Sequence, residues 1–128
     1  MYIATNRRSA GQYVDVLNNT SLVEESPHKL IQMLMEGFLT RINSAKGAMA
    51  HGDIEAKCRF ISLAIGIVGG LNESLNVEVG GEMALNLRSL YEYINRRLLE
   101  ASAENSLEKL DEVFGLMRDI KEAWDAIA

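Results

Sequence analysis

Apolar residues recur at helical spacing in four runs between Leu30 and Trp124, separated by short polar or glycine-bearing breaks. In the first run Leu30, Ile31, Leu34, Phe38, Ile42, Ala45 and Met49 keep one stripe, widened on one side by Met35 and Leu39. Ser26 suits the cap before it, Pro27 suits the first helical position, and His51-Gly52 closes it. The second run, Ile54–Leu75, follows a cap at Asp53 and is unusually apolar. Ile54, Cys58, Ile61, Ile65 and Val68 form one stripe, and Phe60, Leu63, Ala64, Ile67, Leu71 and Leu75 form a second beside it. Together they cover roughly 220° of the helix, at about 100° per residue. A core-facing helix needs only a stripe of about 100°. The surplus stripe predicts a surface that something else must cover. On the opposite face Gly66, Gly69 and Gly70 would let another backbone come close.

Asn76–Gly81 reads as a turn. Met83, Leu87, Leu90, Ile94, Leu98 and Ala101 then make the stripe of a third helix, with Ala84 and Tyr91 on one flank and Asn86 and Tyr93 on the other. After a break at Ala103–Asn105, Ser106 caps a fourth helix whose core stripe is Leu110, Val113, Met117, Ile120 and Trp124, with Phe114 and Leu116 beside it. Four helices with short connections predict an all-α, antiparallel up-down four-helix bundle over residues 26–128. Residues 1–25 keep no sustained period and read as a mobile N-terminal arm with a small apolar patch at Tyr13, Val14, Val16 and Leu17.

Composition narrows the function. The 128 residues suffice for one domain with a real core. A formal net charge of −5 with only scattered basic pairs argues against a nucleic-acid surface. Cys58 has no cysteine partner and is expected to pack as a small apolar side chain, in keeping with a reducing cytoplasm. No signal-peptide core stands in residues 1–25, and Phe60–Leu71 is too short an apolar run for a membrane span, so no membrane insertion is expected.

Candidate chemistry is sparse. Di-metal bundles need inward carboxylates and two Glu-x-x-His motifs; Glu25-Ser-Pro-His28 gives one, across a helix start. His28 and His51 sit at helix ends and read as solvated residues rather than phosphotransfer nucleophiles. No nucleophile elbow or phosphate-binding loop occurs. The expectation is therefore no enzyme, no metal and no cofactor. The apolar surplus remains, with Met33, Met35, Met49, Met83 and Met117 as adaptable thioethers and Tyr91 and Tyr93 as amphipathic rings suited to a half-buried interface.

At the third helix the segment Gly80–Ile94, GGEMALNLRSLYEYI, resembles the signature of the flagellar secretion chaperones, the FliS family. Ser26-Pro27, Leu30-Ile31, Leu34 and Gly37 are similar to the start of that family's first helix, and Glu112-Val113 with Ala123-Trp124 to its C-terminal end. Tyr13 corresponds to the tyrosine of its N-terminal arm. One departure stands out: where the family reads aromatic-acidic-Gly, this chain has Met35-Glu36-Gly37. The resemblance implies a four-helix bundle that binds the C-terminal segment of newly made flagellin in the cytoplasm, prevents its early polymerisation, and delivers it to the export gate of the flagellar type III apparatus. It also implies an arm that covers part of the binding surface when the client is absent. Read with the surplus stripe, it puts the partner surface on Tyr13, Met35, Leu39, Phe60, Leu63, Ala64, Ile67, Leu71, Asn86, Tyr91 and Tyr93. It makes Tyr13, Val16 and Leu17 the autoinhibitory arm contacts. On that reading Ile67→Asp leaves the bundle helical and abolishes client binding. The alternative is a homodimeric scaffold bundle, self-associated through the same stripe and without a flagellin client.

Overall fold

The structure is a computed structural model that describes residues 26–127. Tyr13, Val16 and Leu17 lie outside the described residues. Among the described residues the chain forms four α-helices: α1 (Pro27–Ala50), α2 (Ile54–Glu73), α3 (Val77–Glu104) and α4 (Leu107–Asp125). The expected four-helix, all-α architecture is what forms.

Each helix begins where a short polar side chain can satisfy an orphan amide of the first turn. Ser26 Oγ accepts from Lys29 N, Asp53 Oδ1 from Ala56 N, Asn76 Oδ1 from Val79 N and Ser106 Oγ from Lys109 N. Asn105 ends α3 in the left-handed conformation (φ 52°), and Gly52 follows α1 at φ 71°. The helices pack in a ring, α1 on α2, α2 on α3, α3 on α4 and α4 on α1, so α1 and α3 lie diagonally.

The core collects Leu34, Phe38, Ile42 and Ala45 from α1, Ile61, Ala64, Ile67, Val68 and Leu71 from α2, Tyr91, Ile94, Leu98 and Ala101 from α3, and Leu110, Val113 and Met117 from α4. Each large side chain buried this way contributes about 1.5–3 kcal/mol.

Two sequence expectations for α2 change here. The supposedly surplus stripe is mostly core: Ala64 is 0% exposed, Ile67 5% and Leu71 1%. The reason is that α2 is covered from two sides, by α1 and by α3, so its wide apolar arc is used within the bundle. Conversely, Ile54 is 65% exposed and Cys58 is exposed, although both were expected to be core. At that end Ala56 and Lys57 turn inward instead.

Lys57 is 4% exposed, and its Nζ donates to the Ser102 carbonyl (2.9 Å) and to Asn105 Oδ1 (2.6 Å). The ammonium thus satisfies acceptors at the C-terminal end of α3, where carbonyls have no helical partner and the helix dipole favours a cation. Lys57→Met removes that partner and leaves the acceptors unpaired. It is expected to lower stability by about 2 kcal/mol, read as a drop in the urea midpoint at unchanged slope.

The Asn76–Gly81 turn is also revised. Helix α3 already starts at Val77 and bends at Gly81, whose φ 56° and ψ −131° only glycine adopts readily. No described helix is long and apolar enough to cross a membrane.

Candidate functional site

Beside the bend at Gly81 the described residues enclose a concavity. Among the described residues, the space past the end of α2, between the N-terminal halves of the diagonal helices α1 and α3, is open. A groove of about 580 Å³ remains there. Its α1 wall is Pro27, His28, Leu30, Ile31, Leu34 and Met35. Leu75 and Asn76 close it beyond α2, and Val79, Met83, Ala84, Leu87 and Tyr91 form the α3 wall.

The groove narrows inward. Val79 (84% exposed) and Met83 (76%) stand at its mouth, while Met35 (0%) and Tyr91 (2%) are its floor. Gly80 is part of the wall because a Cβ there would meet Ala84 Cβ at 2.9 Å, so the first turn of α3 can fold down onto Ala84 only with glycine at that place.

Trp124 of α4 completes the rim. Its Nε1 donates to the His28 carbonyl (3.0 Å), and the two rings stack with centroids 4.8 Å apart and 13° between planes. Gln32 Nε2 donating to Asp125 Oδ1 (2.7 Å) holds the same ends of α1 and α4 together. Asp125 is in turn held below the usual carboxylate range by hydrogen bonds from Lys121 and Gln32. Apart from Ser74, Asn76 and the Tyr91 phenol, the rest of the lining is aliphatic and thioether. Among the described residues no group of three or more His, Cys, Asp or Glu could hold a metal ion. Such a groove supplies apolar complementarity, not bond-making chemistry.

The residues singled out from the sequence divide sharply. Met35 and Tyr91 line the groove. Ala64, Ile67 and Leu71 lie in the core beneath it, and Leu39 and Phe60 are half-buried against the core elsewhere. Leu63 (44% exposed) and Asn86 are exposed outside the groove.

Tyr93 serves the α3–α4 contact. Its hydroxyl donates to Glu112, whose other oxygen accepts from Arg97 Nε (2.7 Å), and Arg96 and Arg97 lie over its ring. The hydrogen bond to Glu112 raises the Tyr93 pKa; the same bond, with Arg97, holds Glu112 below the usual carboxylate range.

Sequence reasoning assigned Leu30, Ile31, Leu34, Met83 and Leu87 to core stripes. The signal available for a groove was that α1 and α3 carry more apolar length at this end than the short α2 can cover.

Comparison with known proteins identifies the family of the chain. The family described as "Flagellar protein FliS" matches residues 9–128. The chain belongs to the FliS family. It is 46% identical to the flagellar secretion chaperone FliSB of Pseudomonas aeruginosa, over 91% of this chain and 93% of that protein. It is 39% identical to the flagellar secretion chaperone FliS of Salmonella typhimurium, over 100% of this chain and 93% of that one. It is 37% identical to the FliS of Vibrio cholerae, over 94% and 89%. These relatives are named as chaperones, not enzymes, and FliS membership makes this chain a flagellar secretion chaperone by family. Of the Met35-Glu36-Gly37 segment, Met35 alone lines the groove.

Proposed function

We propose that this FliS protein binds the C-terminal segment of flagellin in the cytoplasm, keeps it from polymerising early and delivers it to the flagellar export apparatus. The observation that carries the reading is the apolar groove between α1 and α3 on a chain of this family. An amphipathic client segment laid in such a groove buries its apolar face, and a client disordered as monomer folds as it binds.

The arm belongs to the same reading. It joins the bundle at Ser26, beside Pro27 and His28 on the rim. Tyr13 stands thirteen residues before Ser26, and a chain of that length reaches at most about 45 Å. Tyr13, Val16 and Leu17 are therefore within reach of the groove and would compete with the client there.

The test is titration of the full chain, and of a variant lacking residues 1–18, with a peptide of the last ~40 residues of the host flagellin, a length suited to a large folding interface. Trp124, the sole tryptophan, stands on the rim and reports occupancy by fluorescence. Saturable binding is expected, tighter for the truncated chain. Absence of binding to either chain overturns the reading; equal affinity overturns the arm's part in it.

A further inference from the structure

Two adjacent glycines make the bend near the start of α3, and each is needed for a different reason. At Gly81 the reason is the backbone. Its φ 56° and ψ −131° lie in the mirror image of the extended region, open to glycine and strained for an L side chain, although a Cβ there would meet nothing within 4 Å. At Gly80 the reason is space. Its Cβ would stand 2.9 Å from Ala84 Cβ, where residues four apart on a straight helix keep about 5–6 Å. The turn Val77–Gly80 is thus folded down on Ala84. Asn76 holds that turn together as a unit: its carbonyl accepts from Gly80 N (2.7 Å) and its Oδ1 from Val79 N (3.3 Å).

Neither requirement exists if α3 runs straight. Both glycines would then sit inside a helix, where each is less favourable than alanine. The pair therefore acts twice, permitting the bend and weakening the straight alternative. The three residues between Glu73 and Val77 are a connection length that joins antiparallel helices.

The bend also places side chains. It puts Asn76, Val79 and Gly80 on the groove beside Met83 and Ala84, while Gly81 itself lines no part of it. Val79 and Met83, one on each side of Gly81, are the two most exposed large apolar side chains among the described residues. An apolar occupant covers both only while the turn stays folded down. Straightening carries the turn along the α3 axis and removes that wall.

We propose that Gly80 and Gly81 are a hinge that couples the first turn of α3 to the client. The bent turn is the binding-competent form, a straight α3 is the incompetent one, and the client selects the bend through its contact with the folded-down wall. This rests on the reading of the groove as the flagellin site. A ligand shifts such an equilibrium only by its differential affinity for the two forms, and here the difference is the wall made by Asn76, Val79 and Gly80. Apparent affinity then falls with the fraction of chains that are bent. Gly81 is a positioning residue: it acts on the client through Val79 and Gly80.

Gly80→Ala, Gly81→Ala and the double variant test this, with the flagellin C-terminal peptide as probe. Each single change is expected to weaken binding about tenfold and the double about 100-fold, while the free proteins keep their Tm and an equal or stronger helical signal. Backbone carbon chemical shifts at residues 79–84 of the free chains should be non-helical at Gly81 in the wild type and helical at the same position in Gly81→Ala. If the wild-type chain binds and the variants bind equally well, the hinge is wrong and the groove's function stands. If the variants bind weakly but lose Tm and helical signal, the glycines only hold the fold and the inference fails. Non-helical shifts at position 81 in Gly81→Ala remove the straight form and the inference with it. If the wild-type chain does not bind the peptide, the reading of the groove fails and the coupling with it.

Discussion

Ile67→Asp is expected to unfold the protein. Ile67 is 5% exposed in the central cluster, between α2 and its neighbours. The substitution removes its apolar burial and places a carboxylate where no cation of the core can meet it. The combined penalty is about 4 kcal/mol or more, against total stabilities of roughly 5–15 kcal/mol for whole domains. Circular dichroism at 222 nm should show loss of most helical signal, or a transition moved down by tens of degrees. A helical, stable Ile67→Asp protein that has lost only its client would restore the stripe of α2 as the client surface and contradict the packing described above.

Charging the mouth of the groove should do the reverse. Val79→Asp and Met83→Asp change side chains that are 84% and 76% exposed, so the fold has little to lose. A client segment that covers this mouth must desolvate each carboxylate without a partner. Each change is expected to weaken flagellin peptide binding by about tenfold and the pair by about 100-fold, with an unaltered helical signal. Retained affinity in the folded double variant would place the client elsewhere on the bundle.

These two expectations are opposite to what the helical pattern of α2 alone suggests, and the reason is physical. A periodic pattern fixes the angles at which apolar side chains leave a helix axis. It does not say how many neighbours surround that axis. α2 has one on each of two sides, so Ala64, Ile67 and Leu71 are core rather than surplus. Lys57 was missed for a related reason: a charged residue is expected outward unless its acceptors are known, and these come from the far end of α3. The groove escaped because its residues sit in ordinary stripes. Leu34 and Leu87 look alike on a wheel whether a helix or an opening faces them.

The sequence by itself determined the four helices and their N-caps at Ser26, Asp53 and Ser106, because capping and periodicity act over a few neighbouring residues. It also carried the FliS signature at Gly80–Ile94. Only the tertiary structure decided which apolar faces meet each other and which meet an opening. That depends on the diagonal placing of α1 and α3, on α2 ending at Glu73, and on the bend at Gly81, all of them relations between segments far apart in the chain.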